Sequence, residues 1–312
     1  MNSKKIILVT GTAGKLGYSV AKALLAQKNF AVRILASDPS DANTLKLQQL
    51  GAEISEGCLE NTESLKAAMQ NCYGVFGITG FSVPVDNEYQ QGKNLADLVK
   101  EMHIRHFIFS SLDDCYSLSN GEFPVPHYDV KAALKKYIKR LGIPASFAQV
   151  ATSYDSFFNY FALQKDEYNN LYFAIPMGDI PFTLVNPSDY GGIVAAMFNH
   201  PAEYTGRTVN AVGANKSGHE YAAILSEALE ETIYYKHVSR EAFANNEAED
   251  AAELANLFEV QRVFNPGRQL DLIESYGLNP ATQRFEDWVK EHIPAFQSRL
   301  KELSVKAKAG MI

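Results

Sequence analysis

Three glycines stand at intervals of three in "VTGTAGKLGYS", Val9 to Ser19, directly after the apolar run Ile6, Ile7, Leu8 and Val9. That run reads as a buried strand. Leu16, Val20, Ala23 and Leu24 then recur at helical spacing, so Gly11, Gly14 and Gly17 fall on a turn from strand to helix. Each glycine has its own use there: Gly11 for a tight turn, Gly14 for bare backbone beside a ligand, Gly17 for close packing of helix on strand. Free N–H groups at the positive helix end would then face a pyrophosphate. A tight turn without a ligand is the plain alternative, and it is the commoner meaning of an isolated match.

Such a turn needs a sheet to hold it. Ala31 to Leu35 reads as a second strand, broken by Asp38, Pro39, Ser40 and Asp41, and "GAEISEG" as a third. Asn61 caps a helix whose Leu65, Ala68, Met69 and Cys72 share one face. Gly74 to Ile78 gives a fourth strand, Leu95, Leu98, Val99 and Met102 a helix, and His106 to Ser110 a fifth strand. A periodic helix from Val130 to Leu141, closed by Gly142, leads to a sixth strand at Ala145 to Val150. Strands separated by helices of this length imply right-handed crossovers and a parallel sheet covered on both faces. The expected class is therefore α/β: a doubly wound parallel sheet of the Rossmann type over residues 1–152, with a smaller C-terminal α/β lobe over 153–312. A segment near 182–212 is expected to return to the first core. Ligands in such sheets sit beyond the carboxyl ends of the strands, which adds Thr79, Gly80 and Phe81 after the fourth strand and Ser110 or Ser111 after the fifth.

In the second half, Ser153 to Pro181 is dense in aromatics, including Phe157, Phe158, Phe161 and Phe173, for which core packing is favoured over an apolar substrate pocket. Ser217 with Glu220 forms a capping box.

Composition narrows the functions. The 312-residue chain is 46% hydrophobic and 21% charged, with a formal charge of −7 and no basic tract, which argues against direct binding of nucleic acid or anionic membrane. The four-residue apolar run near the start is too short for a signal-peptide core and no stretch has membrane-spanning length, so a cytoplasmic protein is expected. Cys58, Cys72 and Cys115 show no metal-ligand spacing, and no metal is expected. Cys72 is expected on a helix face as a small core residue, Cys115 in a loop where it could be exposed.

With the glycine turn, "SSL" after the fifth strand, "HYDVK" opening the next helix, "QGKNLADLVK", "NPSDYGGIV" and "LNPATQRFEDWV", the chain resembles the NmrA-like group of atypical short-chain dehydrogenases/reductases almost end to end, and most closely its NADP(H)-binding redox sensors. The resemblance implies a dinucleotide held by Gly11, Thr12, Gly14, Lys15, Leu16 and Gly17, by Cys58 and Leu59 after the third strand, by Thr79, Gly80, Phe81 and Ser110, and by Lys131 and Tyr154. NADP(H) is favoured by the resemblance and NAD(H) stays open. The arginine expected before the proline after the second strand is Ser37 here; Arg33 or Lys15 could partly substitute, while Asp38 would repel a 2′-phosphate. Active relatives are expected to carry Tyr-x-x-x-Lys, yet His127 stands at the tyrosine position, with Lys131 four residues on along the same helix face. Tyr128 is one position out of register, about 100° around the helix.

Two functions follow from this pattern. One is a redox or nucleotide sensor in which the dinucleotide alters association with a regulatory protein partner. The other is a reductase of a small carbonyl, imine or conjugated alkene, apolar or aromatic in character, with Lys131 or His127 as proton donor and Ser111 beside them. Either would act as a monomer or homodimer.

Overall fold

A computed structural model describes residues 4–80, 84–245, 250–264 and 267–308. Strand and helix alternate from the start: β1 (Ile6–Val9), α1 (Lys15–Gln27), β2 (Ala31–Ala36), α2 (Ala42–Gln49), β3 (Glu53–Glu56), α3 (Thr62–Ala68), β4 (Cys72–Gly77), α4 (Val85–Glu101) and β5 (His106–Ser110). A single turn, α5 (Cys115–Leu118), precedes α6 (Pro126–Leu141) and β6 (Ala145–Val150). Beyond it lie β7 (Thr152–Ser153), β8 (Gln164–Lys165), β9 (Leu171–Ile175), β10 (Phe182–Val185), α7 (Tyr190–Asn199), α8 (Pro201–Tyr204) and β11 (Thr208–Ala211). The last part of the chain forms β12 (Ala214–Lys216), α9 (Gly218–Leu229), β13 (Ile233–His237), α10 (Arg240–Ala244), α11 (Ala251–Phe264), α12 (Gln269–Leu278), α13 (Phe285–Glu291) and α14 (Ile293–Lys308).

The main sheet has seven strands in the order β11-β6-β5-β4-β1-β2-β3, and every pairing in it is parallel. Helices cover both faces, so the central strands are apolar without alternation: Ile7, Leu8 and Val9 are fully buried, and so is each residue of β5. On one face α1 and α7 pack Val20, Leu24, Ile193 and Val194 against Ile7 and Val9. On the other, Leu95 of α4 and Leu134 and Ile138 of α6 pack against Leu8, Val75 and Phe107. The doubly wound sheet is as expected; its edge strand β11 lies in the segment near 182–212 but, having no apolar run, is not foreseen as a strand. Chain order reverses between β1 and β4, which opens a crevice at their carboxyl ends.

Two three-stranded sheets, β12-β10-β7 and β13-β9-β8, lie with the C-terminal helices around a second core. Its centre is a cluster of edge-to-face and tilted rings: Phe157 lies 4.8 Å from Phe161, 5.2 Å from Phe173 and 5.1 Å from Phe285 between centroids. Phe157, Phe161 and Phe173 are thus core packing, whereas Phe158 is exposed, its ring against Trp288 and Phe296. Ser217 and Glu220 close the capping box at the head of α9.

Two cysteines depart from expectation. Asn71 takes a positive φ of 61°, which ends the α3 region, so Cys72 opens β4 half-buried instead of lying on a helix face, and burial pushes its thiol up to about 11. Cys115 is fully buried at the start of α5 among Val125, Leu257 and Val260, and desolvation raises its thiol further. Among the described residues no helix is long and apolar enough to cross a membrane.

His106 carries a pH-dependent part of the stability. Ser146 Oγ gives its proton to the Tyr204 carbonyl at 2.8 Å and so accepts from His106 Nε2 at 2.8 Å, which leaves Nδ1 a buried lone pair with no partner among the described residues. Burial lowers this imidazole from 6.5 to about 4. The unfolded chain therefore takes up the proton first: the histidine's contribution is complete above pH 6.5 and is lost as pH falls to about 4, a loss of roughly 3 kcal/mol. Urea unfolding at pH 7 and pH 4.5 should show this drop in wild type and a flatter profile in His106→Asn; equal slopes would contradict it.

Candidate functional site

The three glycines of the first turn differ in what the fold demands of them. Gly11 has φ +67°, and a Cβ there would lie 2.4 Å from Ile78 Cγ2. A Cβ on Gly17 would lie 2.3 Å from the Gly11 carbonyl oxygen and 2.6 Å from that of Thr10. Both must be glycine for α1 to sit on β1. Gly14 is different: its backbone is extended (φ −86°, ψ 160°), and its Cβ would meet only the Gly11 oxygen at 3.5 Å, an ordinary contact. Nothing inside the protein asks for glycine at that position. Gly14 is also the N-cap of α1, where no side chain accepts a bond and no acidic residue stands in the first turn, whereas Asp41 caps α2 and Asn61 caps α3. The positive end of α1 is left open to the crevice.

A cleft of about 660 Å³ occupies that crevice. Its walls bring together Gly11, Thr12, Gly14, Lys15, Leu16 and Gly17 from the turn, Ser37 after β2, Cys58 and Leu59 after β3, and Thr79 and Gly80 after β4. Phe81 lies outside the described residues. Arg33, Ser110, Ser111, Lys131 and Tyr154 do not line the cleft. Arg33 sits mid-strand in β2, where its guanidinium donates to the Ala68 and Gln70 carbonyls at 2.7 and 2.8 Å and pairs with Glu53 at 2.9 Å. Tyr154 is wholly buried against Phe285 and Trp288 and donates to the Gln283 carbonyl at 3.0 Å. Ser110 Oγ accepts from Tyr190 at 3.1 Å within the core, and Ser111 Oγ is buried with no partner among the described residues. Lys15, on the cleft wall, pairs with Asp155, which lies outside it, at 2.5 Å.

The rim past β2 is acidic. Asp38 accepts from the Ser40 hydroxyl and amide at 2.6 and 2.8 Å, and these bonds hold its carboxyl below the usual range. Asp41 lies beside it at the head of α2.

Behind the β4 end of the cleft is a buried polar cluster around Glu88, a residue that sequence reasoning missed. Lys131 Nζ donates to the Thr79 carbonyl at 3.0 Å, to Thr79 Oγ1 at 2.7 Å and to Glu88 Oε1 at 2.5 Å. Thr79 Oγ1 donates to Glu88 Oε1 at 2.7 Å, and His127 Nδ1 meets Glu88 Oε2 at 3.1 Å. Glu88 is fully buried and Lys131 is 1% exposed. Burial depresses the lysine's affinity for its proton, and Glu88 opposes that shift. A signal existed: Glu88 extends the inner stripe Gln91, Leu95 and Leu98 of α4 by one turn, and a carboxylate in such a stripe requires a partner. His127 and Lys131 do share a helix face, as their spacing implies, and Glu88 joins them. Tyr128 turns away into the cluster of Cys115, Val125 and Leu257, where desolvation raises its phenol.

The profile described as the NmrA-like family matches residues 3–290. The chain belongs to the NmrA-like family. Among curated relatives, the NmrA-like family domain-containing oxidoreductase FrzB of a Cladobotryum species is 27% identical over 263 residues, 76% of this chain and 78% of that protein. An NmrA-like family domain-containing protein of Dictyostelium discoideum is 26% identical over 246 residues, 76% of this chain and 81% of its own. Among solved structures, NmrA, a negative transcriptional regulator, in complex with NADP is similar with a TM-score of 0.76 at 21% identity, covering 94% of this chain and 97% of that one. The Citrobacter sp. triphenylmethane reductase complexed with NADP(H) is similar with a TM-score of 0.73 at 19% identity, over 93% and 99%. At these identities the structural likeness establishes the NmrA-like fold.

The buried pair makes a stability prediction for this NmrA-like chain. Glu88→Ala leaves the Lys131 ammonium uncompensated in the interior and should cost about 3–5 kcal/mol in urea unfolding. A loss under about 1 kcal/mol, the level of an exposed pair, would show that the ion pair is solvated.

Proposed function

We propose that this NmrA-like protein binds a nicotinamide dinucleotide in the cleft and acts as a nucleotide sensor. The observation that carries the reading is Gly14: the fold does not need a glycine there, but a pyrophosphate resting on the uncapped end of α1 does. The solved structures of NmrA in complex with NADP and with NAD support it. In this arrangement the adenosine ribose lies at Ser37 and Asp38, the adenine near Cys58 and Leu59, and the nicotinamide half against Thr79 and Gly80.

The acidic rim favours NAD(H) over NADP(H). Arg33 is committed inside the sheet, Ser37 offers no charge, and an ionised Asp38 repels a 2′-phosphate while accepting a bond from a free 2′-hydroxyl. The pyrophosphate would also compete with Asp155 for Lys15. Because Asp155 follows β7, dinucleotide uptake would loosen a tie to the second core, and that is the change a protein partner would read.

The position of the dehydrogenase tyrosine holds His127, and the neighbouring phenol of Tyr128 is turned into a core, which supports a sensor over a catalyst. The relatives named as oxidoreductases favour a second reading, hydride transfer to a small carbonyl, imine or alkene with His127 as proton donor.

Calorimetric titration tests the dinucleotide reading. NADH should bind at least about tenfold more tightly than NADPH, a difference of about 1.4 kcal/mol. Gly14→Val should abolish binding of both without lowering the melting temperature appreciably. Preference for NADPH would overturn the NAD(H) assignment, and undiminished binding by Gly14→Val would overturn the site. Oxidation of NADH by quinone or aldehyde acceptors that is lost in His127→Ala would select the reductase reading.

A further inference from the structure

The glycine turn and the segment after β2 reach the cleft from different strands, and a side-chain hydrogen bond ties them together. Asn43, the second residue of α2, donates from Nδ2 to the carbonyl oxygen of Ala13 at 3.0 Å. Ala13 belongs to the turn and stands on the cleft wall, whereas Asn43 does not. Asn43 is itself fixed, because its backbone amide donates to Asp41 Oδ1 at 2.9 Å within the cap of α2.

The peptide unit between Ala13 and Gly14 is therefore held at both ends. Its N–H, on Gly14, donates to the Gly11 carbonyl at 3.1 Å, and its C=O, on Ala13, accepts from Asn43. These groups point in opposite directions across a planar unit, so holding both fixes its rotation. Asn43 is the one hydrogen-bond donor to the Ala13 carbonyl among the described residues. The unit immediately precedes Lys15, Leu16 and Gly17, whose amides open α1 without an intrahelical acceptor; Tyr18 is the first to find one, on the Gly14 carbonyl at 3.0 Å.

Resting on the dinucleotide reading above, we infer that Asn43 is a positioning residue for the pyrophosphate: it holds the Ala13 carbonyl toward α2 and keeps that oxygen from turning toward the bound anion. A carbonyl oxygen carries partial negative charge, and one released beside a positive helix end would oppose the same phosphates that the free amides attract. Asparagine suits the task because a carbonyl can only accept and the carboxamide supplies a donor without a charge. The start of α2 thus serves the cleft twice, with Asp41 on the acidic rim and Asn43 steadying the turn.

The experiment compares wild type with Asn43→Ala and with Asn43→Leu, which is close to asparagine in size and has no donor. Calorimetry gives the dissociation constant for whichever of NADH and NADPH wild type binds more tightly, and amide hydrogen exchange is followed at Gly14 and at Leu47 inside α2. Both variants should bind the dinucleotide about fivefold more weakly, the scale of one lost hydrogen bond. Exchange at Gly14 should quicken by about threefold or more while Leu47 keeps its wild-type rate, because the peptide is released and the helix is not. Binding within about twofold of wild type in either variant overturns the inference. Weaker binding with Gly14 exchange unchanged, or with Leu47 exchange quickened equally, overturns it too, since the effect would then lie in α2 as a whole. Those results leave the dinucleotide reading standing, whereas wild type that takes up neither NADH nor NADPH overturns both. Should neither variant fold, a crystal structure of the wild-type complex decides: Nδ2 of Asn43 still within hydrogen-bond distance of the Ala13 oxygen supports the inference, and Asn43 turned to a phosphate oxygen contradicts it.

Discussion

The backbone of Gly17 rests on the carbonyl of Gly11 with no room for a single carbon between them, and the architecture of the site follows from that contact. It draws the first turn of α1 down onto the end of β1 at the point where the strand order reverses. The helix end is left uncapped although the protein has room for a side chain at Gly14. The protein tolerates uncapped N–H groups there because the cleft is open to water or to an anion. Elsewhere it spends side chains freely on the same task, with Asp41 and Asn61 capping the next two helices of the sheet.

Charge is distributed around the cleft in a way that separates binding from specificity. The helix end supplies positive potential from backbone alone, so it attracts any pyrophosphate without regard to the rest of the ligand. In the proposed reading, discrimination would fall to the rim after β2, where Asp38 and Asp41 are acidic and the one arginine of the strand donates to Ala68 and Gln70. At the opposite end, Lys131, Glu88, His127 and Thr79 offset the desolvation of the buried Glu88–Lys131 pair by hydrogen bonds to one another. Such a group fixes the position of the β4 terminus.

Much of this was legible before the structure, and the failures have physical causes. Strands buried on both faces leave contiguous apolar runs, so the alternation through β6 could be read directly, while β11 at the sheet edge, with Thr208 and Asn210 half-exposed, could not. The glycine turn, Ser37, Cys58, Leu59, Thr79 and Gly80 meet in one cleft because each follows a parallel strand whose carboxyl end faces the same way. Arg33 was misplaced because a residue in mid-strand cannot reach the carboxyl edge, and Tyr154 because a local pattern cannot show that its ring belongs to the stack with Phe285 and Trp288. Glu88 was hidden by its type: a carboxylate in a helix start looks like a solvated first-turn acid until the stripe it extends is followed into the core.

The account rests most directly on where a dinucleotide meets the chain. Amide chemical shifts of the ¹⁵N-labelled protein, recorded as NADH is added, observe that contact residue by residue. The largest changes should fall on the amides of Lys15, Leu16 and Gly17, where the pyrophosphate would accept the uncapped N–H groups of α1. Saturable changes confined to other surfaces, with these amides unmoved, would contradict the assignment of the glycine turn as the anion cradle.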